Sequence, residues 1–404
     1  MAMAQEKTYT GVRIFDQRAR SLKVAPLSNP YLPPVLIMGT DDRIGVSFDV
    51  LDEDVHYLRY SVVHCNAQWQ PSALVESEYV DGFNYADIQD YEQSEATFTH
   101  YWNYHFTIPN EDFKLSKSGN YLLRVYEQDD PDHVLFQTRF SLCENTVGVR
   151  AELTASTDVD YKAAHQQLAV TLNYKPETIH DPYGELTTVI SQNTRTDNVA
   201  VLTSPMRVGM GTLIYEHQAP LIFAAGNEYR RFETVEAHSL NMGVAALTYY
   251  EPFYHATLYT DEPRRDVQYL YDQTQRGYFT IRNAEADDSD VEADYVMTHF
   301  TLYTGQPITG GNIFLEGEFA HGLPAEQVLM RYDEASGCYR CSLLLKQGAY
   351  NYQYLFFPDG AKQGRTDVID GDKYQTMNQY AIRVYDRPSG ERYDRMVGFG
   401  IVRP

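Results

Sequence analysis

The chain has 404 residues and a formal net charge of −23, and 43% of its residues are hydrophobic. A single core stops growing at about 250–300 residues and a β-sandwich usually takes about 100, so the length predicts several domains, most naturally three, with two as the alternative. The hydrophobic content argues against a disordered chain. The acidic balance, with no Lys/Arg-rich run, argues against binding to nucleic acid or to an anionic membrane surface.

The chain begins Met-Ala-Met-Ala-Gln and shows no signal peptide. It also lacks an apolar run of the roughly 20 residues that a membrane-spanning helix needs. We interpret this start as one from which a signal peptide has been removed, so the missing signal does not decide the compartment.

Strand signals recur along the chain, separated by Gly, Pro, Asp and Asn clusters, and no long segment has a capped helical period. The 34 Tyr residues, against 2 Trp, suit half-buried strands and also suit a protein interface. The first block has predicted strands at 43–51, 56–65, 104–108, 119–127 and 133–142, with a long polar connection over 68–101.

The second block has predicted strands at 147–155, 168–173, 186–192, 212–217, 228–238, 244–250 and 255–259, and 278–282 either closes it or leads onward. The third block has predicted strands at 295–303, 312–318, 328–332, 339–345, 350–357 and 380–385. We therefore predict an all-β protein of three tandem immunoglobulin-like or early-set β-sandwich domains, at 21–145, 146–283 and 294–404.

The segment between the second and third blocks, 283–294, reads NAEADDSDVEAD. Its charge density predicts a solvated linker or loop. Asp288, Asp290 and Glu292 have the spacing of part of a calcium loop, but the Gly and the distal Glu of such a loop are missing. Calcium binding by 287–294 stays open, with a plain solvated turn favoured.

The four cysteines are Cys65, Cys143, Cys338 and Cys341. The last two form a C-x-x-C within a predicted strand, where positions i and i+3 face opposite sides, so we expect neither a redox nor a zinc site there. Cys65 and Cys143 each end a predicted strand of the first block, and a disulfide between them stays open.

No catalytic motif is recognisable: G-x-S-x-G, H-E-x-x-H and H-x-x-E-H are absent, and Gly209-Met-Gly211 lacks the rest of a phosphate loop. His64, His105 and His299 lie in predicted strands, where a structural role is favoured. We predict no catalytic residue, metal or cofactor. Asp and Glu are too many for a catalytic pair to be singled out, so a glycoside hydrolase stays open as a third alternative.

Two short segments resemble one another. Lys117-Ser-Gly119-Asn-Tyr121 and Lys346-Gln-Gly348-Ala-Tyr350 each place a Gly turn before a strand whose first inward residue is Tyr. Sandwich domains often use such a Tyr to hydrogen-bond back to the preceding loop. The pattern therefore favours repeated sandwich domains.

Part of the third block, in the segments 313–319, 330–339 and 343–360, resembles the early-set, glycogen-binding type of sandwich module. Those modules stack sugars on exposed aromatic rings, usually Trp, and this block has no Trp. Ala320 and His321 stand where such a module would carry an Asn-Trp-like pair. The resemblance implies the fold, and we expect no useful binding of α-glucans.

A second resemblance covers nearly the whole chain. The segments that carry it are 64–72 (HCNAQWQPS), 77–83 (SEYVDGF), 106–110 (FTIPN), 117–127 (KSGNYLLRVYE), 293–302, 344–354 (LLKQGAYNYQY) and 393–398 (YDRMVG). In this order they resemble the plug proteins of the type IX secretion system of Bacteroidota.

The resemblance implies a periplasmic protein that docks under a giant outer-membrane β-barrel translocon and closes its pore when no substrate is engaged. It implies no catalytic residues, no cofactor and no small-molecule substrate. The alternative function is a periplasmic or surface glycan-binding protein that uses the third block.

Overall fold

The computed structural model describes residues 9–236 and 239–404, and these form a multi-domain, nearly all-β protein. The predicted fold class is confirmed. The strands make three β-sandwiches, each with its own hydrophobic core. Residues 1–5, interpreted above as the remnant of a signal-bearing end, and His238, at the end of predicted strand 228–238, lie outside the described residues.

The first sandwich contains the first twelve strands. They are β1 (Arg13–Ile14), β2 (Ala19–Pro26), β3 (Val35–Ile37), β4 (Ile44–Val50), β5 (Leu58–Cys65), β6 (Val80–Asp81), β7 (Ala86–Asp87), β8 (Asp90–Gln93), β9 (Trp102–Ile108), β10 (Lys114–Leu115), β11 (Gly119–Glu127) and β12 (Asp130–Cys143). One sheet runs β1-β12-β11-β5-β7 with β3 beside β12, the other runs β2-β4-β9-β8, and β6 pairs β10. Alternate residues of both sheets, such as Phe48, Tyr104 and Phe136, fill the shared core.

The chain then begins a second sandwich. Its strands are β13 (Gly148–Thr154), β14 (His165–Asn173), β15 (Leu186–Gln192), β16 (Val199–Leu202), β17 (Arg207–Gly209), β18 (Thr212–Tyr215) and β19 (Ile222–Ala224). One sheet runs β13-β14-β18-β17 with β19 beside β14, while β15 and β16 start the facing sheet.

The third sandwich is inserted into the second. Its strands are β20 (Arg230–Glu233), β21 (Val244–Tyr250), β22 (Phe253–Leu258), β23 (Thr280–Ile281), β24 (Tyr295–Tyr303), β25 (Gly311–Glu316), β26 (Arg331–Asp333), β27 (Cys338–Lys346) and β28 (Gly348–Pro358). One sheet runs β20-β28-β23 with β25 also on β28, and the other runs β21-β22-β24-β27-β26.

The last two strands, β29 (Tyr380–Asp386) and β30 (Arg395–Val402), return to the second sandwich and complete the sheet β16-β15-β29-β30. Ile190 pairs Ile382, and both side chains lie in the second core. This differs from the predicted limits 146–283 and 294–404, which put 228–259 in the second domain and 380–385 in the third. Alternation shows that a segment is a strand, but it does not show which distant strand it pairs with.

Over residues 9–236 and 239–404, helix is confined to short segments between strands. They are the α-helices Glu76–Tyr79, Ser289–Glu292 and Ala325–Val328 and the 3₁₀ turns Ala219–Leu221 and Glu318–Ala320. In the portions of the chain that the structure describes, no helix has the length and apolar character needed to cross a membrane.

Tyrosine mainly builds the cores. Ten of the twelve largest fully buried side chains are Tyr: Tyr60, Tyr101, Tyr104, Tyr121, Tyr215, Tyr295, Tyr350, Tyr354, Tyr380 and Tyr385. Their hydroxyls mostly find partners at the edge of a core or in a junction between sandwiches, as a buried phenol requires.

Candidate interaction surfaces

The cysteines carry no reactive site. All four are buried free thiols, so the Cys65–Cys143 disulfide left open by the sequence is not formed. Burial raises the thiol pKa of Cys65 to about 11, that of Cys143 to about 12 and that of Cys341 to about 11. A thiol with so high a pKa supplies little thiolate at neutral pH, and thiolate is the form that attacks or binds a metal.

The strand histidines differ in setting. His64 is buried, with Nε2 2.9 Å from the Ser118 carbonyl oxygen and Nδ1 2.9 Å from Ser72 Oγ. Because a carbonyl only accepts, Nε2 donates and Nδ1 accepts from the hydroxyl, which satisfies a neutral ring. Burial lowers the pKa of His64 accordingly. His105 lies 3.8 Å from Asp290, a surface ion pair at most.

His299 belongs to a polar row on the outer face of the third sandwich. Its Nε2 lies 2.8 Å from Nδ1 of His255, and its Nδ1 lies 2.7 Å from Ser342 Oγ. Burial, together with the neighbouring imidazole, lowers the pKa of His299. A serine–histidine nucleophile needs a carboxylate behind the base, and here a second imidazole stands in that place. No three His, Cys, Asp or Glu side chains within 9–236 and 239–404 are grouped to hold a metal ion.

The acidic segment 283–294 is part of a junction, not a linker between domains. Asp288 accepts from the Asp290 amide at 2.9 Å as the N-cap of a short helix. Asp294 accepts from the amides of Phe98 at 2.8 Å and Thr99 at 3.1 Å, which belong to the first sandwich. These carboxylates thus bind backbone donors within and between the sandwiches.

The first and third sandwiches are joined by a buried group that we call the Asp49 cluster: Asp49, Asn103, Tyr295 and Lys346. Asp49 Oδ2 accepts from Lys346 Nζ at 2.8 Å and from the Tyr295 hydroxyl at 2.6 Å, and Asn103 Nδ2 donates to Oδ1 at 2.6 Å. The exposed fraction of the Lys346 and Asp49 side chains is 1% and 0%. Lys346 Nζ also lies 4.1 Å from the ring centre of Tyr101.

This cluster was not predicted from the sequence. Asp49 stands between the apolar residues Phe48 and Val50 on a strand, and Lys346 begins the Lys-x-Gly-x-Tyr turn. A charged residue inside an apolar strand is a signal of a buried partner, because an unpaired buried charge is very costly. The partner is almost three hundred positions along the chain, at a separation |i−j| of 297, and no local pattern points to it.

The second sandwich is joined to the other two by similar buried contacts. The Tyr385 hydroxyl donates to Asn120 Oδ1 at 2.8 Å, and Asp394 accepts from the Ala67 amide at 2.7 Å, both across to the first sandwich. Arg195 donates to the Gly364 carbonyl at 2.7 Å, in the third sandwich. Each sandwich is thus held to both others by buried hydrogen bonds, which oppose bending between the domains.

Exposed aromatic and apolar side chains lie on loops and hairpin ends, and some lie within strands, such as Val199 and Tyr249. Phe83 and Tyr85 stack at 5.6 Å, with the Arg59 guanidinium 4.8 Å from the Tyr85 ring centre. Met210, at the tip between β17 and β18, is 96% exposed. Exposed rings of this kind supply contact area to a protein partner at a low entropic cost.

The third sandwich shows no flat sugar platform within its described residues. Tyr350, Tyr352 and Tyr354 are buried in its core. The rings that reach the surface are inclined to their neighbours: Tyr249 lies at 62° to Tyr254, and Tyr332 at 59° to Tyr339. Sugar stacking on successive rings needs them exposed and roughly coplanar, so this geometry does not favour the glycan-binding alternative.

Comparisons with known proteins point to one family. A family model described as the type 9 secretion system plug protein 1st domain matches residues 19–144, which form the first sandwich. A solved structure of a hypothetical protein from Parabacteroides merdae is similar over 98% of this chain and 99% of that one, with 38% identity and a TM-score of 0.95. The first sandwich of this chain therefore belongs to the family of type 9 secretion system plug protein 1st domains. A search of curated proteins finds no match.

The match of the first sandwich associates the protein with the type 9 secretion system and supports a location in the cell envelope. The family is not a known class of enzyme. The resemblance read from the segments between 64 and 127 is thereby confirmed at the level of the family. The glycogen-binding-like character of the third sandwich stays a prediction.

Proposed function

We propose that this plug-family protein is a non-enzymatic periplasmic component that docks on the outer-membrane translocon of the type IX secretion system. It seals the translocon pore when no substrate is engaged. The observation that carries the proposal is the match of residues 19–144 to the plug protein 1st domain.

A seal over a wide channel must keep its shape, and the junctions support this requirement. Domains joined by small polar interfaces normally move relative to one another. Here the Asp49 cluster joins the first and third sandwiches, and Tyr385 and Arg195 join the second sandwich to its neighbours. The three sandwiches therefore present one rigid body to a partner.

A protein that seals the pore must also dissociate from the translocon when a substrate arrives. The net charge of −23 keeps the unbound protein soluble and repels anionic surfaces. The exposed rings lie at separate places along the chain, such as Phe83, Tyr183 and Tyr250, which suits an interface of moderate strength better than an obligate one.

The test is deletion of the gene, with measurement of sensitivity to large antibiotics and of co-purification of the protein with the translocon. We expect higher permeability in the deletion strain, restored by the wild-type protein, and recovery of the protein with the translocon from outer-membrane extracts. Unchanged permeability, with no association with any outer-membrane barrel, would contradict the proposal. Retardation in a gel containing glycogen or starch would then favour the glycan-binding alternative.

A further inference from the structure

Strand β21 (Val244–Tyr250) is the outer strand of its sheet. It pairs β22 in antiparallel register, with Thr248 opposite His255 and Tyr250 opposite Phe253. Among the described residues, no strand pairs the other side of β21. An outer strand of this kind presents a row of backbone donors and acceptors to which another chain can add a strand.

The other outer strands are protected against such pairing by charge or by short length, and β21 has neither of these protections. Proteins blunt exposed edges with charge, short length or a bulge. Among the described outer strands of four residues or more, β2, β8, β13, β20, β25 and β30 each carry at least one charged side chain, and β16 has only four residues. β21 has seven residues, VAALTYY, with no charge and no Pro. Its pairing with β22 shifts register once, between Val244 and Ala246, and is regular from Ala246 to Tyr250.

The side chains of β21 form an accessible, mainly apolar surface. Thr248 is exposed, and Tyr249 and Tyr250 are 44% and 64% exposed. The Tyr249 ring lies 5.3 Å from that of Phe98 in the first sandwich, and both contact Tyr254. The edge thus ends in a cluster of aromatic rings to which two sandwiches contribute.

The charge around this edge is one-sided. The segment 232–263, which contains β21, has no Lys or Arg, and Glu251 directly follows Tyr250 in the turn to β22. Asp294 also lies beside this edge, because it accepts from the amide of Phe98, whose ring contacts Tyr249. A partner that binds here is attracted if it is basic and repelled if it is acidic.

We propose that β21 receives, as an added strand, an extended segment of a partner protein that carries Lys or Arg. Backbone hydrogen bonds to the edge supply affinity, the aromatic cluster packs against the apolar residues of the segment, and the acidic surroundings select its charge. A second copy of this chain is disfavoured, because it would bring the same acidic surroundings to the contact. The inference goes beyond the proposed docking, since it concerns the chemistry of the bound segment whichever partner supplies it.

The test uses the full chain and a capped nine-residue peptide that alternates lysine with valine. We expect amide exchange in 244–250 to slow by about tenfold at saturating peptide, because the unpaired edge gains hydrogen bonds. The same peptide N-methylated at alternate residues, and one with glutamate in place of lysine, should give no protection. Protection by the N-methylated peptide, or none by the unmodified one, would overturn the proposal.

Matched variants separate binding from folding. Thr248→Lys puts a positive charge on the edge, which repels the lysines of the peptide, and should lower the affinity for the peptide about tenfold. Thr248→Val keeps the edge uncharged and should bind the peptide as the wild type does. Thermal unfolding of both variants checks that each is folded. Equal binding by the two folded variants, or protection of 244–250 through self-association without peptide, contradicts the proposal. Neither outcome bears on permeability, so failure here is distinguishable from failure of the sealing role.

Discussion

The first and third sandwiches use the same turn. Comparing the two turns separates the backbone structure that the local sequence encodes from the side-chain contacts that depend on distant residues. The Tyr121 hydroxyl donates to the Lys117 carbonyl at 2.6 Å, and the Tyr350 hydroxyl donates in the same way to the Lys346 carbonyl. Both rings are buried at the start of a strand. The Lys-x-Gly-x-Tyr pattern therefore encodes the backbone of the turn in both places.

The side chains around the two turns have different roles. Lys117 Nζ lies 5.9 Å from the Tyr393 ring centre at the surface, whereas Lys346 is buried in the ion pair with Asp49. His64 donates to the Ser118 carbonyl in the first turn, and the Thr234 hydroxyl accepts from the Gly348 amide at 3.3 Å in the third. The first turn thus contacts the second sandwich through Asn120 and Tyr385, and the other turn contacts the first sandwich through Lys346 and Asp49. Only the second case buries its lysine in an ion pair.

The largest expected effect is a loss of stability when the lysine of each turn is replaced. Lys346→Met leaves Asp49 buried without its cation, and such a loss costs about 3–5 kcal/mol of stability. Lys117→Met removes only a surface charge and should cost about 0.5 kcal/mol or less. Urea unfolding of the two variants measures the free energies. Equal losses would show that the Asp49 cluster does not stabilise the junction.

A double variant sharpens this result. Asp49→Asn combined with Lys346→Met removes both charges. The new amide oxygen accepts from the Tyr295 hydroxyl, and the new amide nitrogen faces Asn103, whose unpaired Oδ1 can accept from it when that side-chain amide turns. The double variant should recover most of the stability lost in Lys346→Met alone, because the unpaired charge is the main cost. No recovery would indicate that packing of the lysine stem, and not the ion pair, holds the junction.

The sequence predicted the strands better than their partners. Alternation over 119–127, 186–192, 244–250 and 295–303 coincides with observed strand bounds, because each segment lies against one core. Strands such as Arg13–Ile14 are too short to show a period. The return of β29 to β15 and the burial of Lys346 against Asp49 both depend on residues far apart in the chain. The segment 244–250 was predicted as a strand, but only the order of strands in the sheet shows that it is an outer strand.

A medium effect is expected from the turn tyrosines. Tyr121→Phe and Tyr350→Phe each remove one hydroxyl and leave the carbonyl of Lys117 or Lys346 without that donor. Each should lower the free energy of unfolding by about 1–2 kcal/mol, and the two losses should be similar, because the hydrogen bond from the hydroxyl to the backbone carbonyl is the same in both turns. Chemical denaturation of both variants gives the comparison. A large cost at one position and none at the other would show that only one of the turns depends on this bond.

The smallest effect is a response to pH confined to the first turn. Burial lowers the pKa of His64 below its ordinary value of about 6.5, so the unfolded chain binds a proton that the folded turn resists. The stabilisation that the neutral His64 ring gives to the folded state is present above about pH 6.5. It declines as the pH falls below that value, with a slope of at most about 1.4 kcal/mol per pH unit for one proton.

The turn at Gly348 has Thr234 where the first turn has His64, so amides of 348–358 should lose less protection than those of 119–127 between pH 7.5 and pH 5.5. Hydrogen exchange corrected for the intrinsic rates measures both segments in one sample. His299, whose pKa burial and His255 also lower, lies in the third sandwich, so His299→Gln is the matched control and should leave the response of 119–127 unchanged. His64→Gln should abolish that response. A loss of protection in 119–127 that persists in His64→Gln would assign the effect to another group.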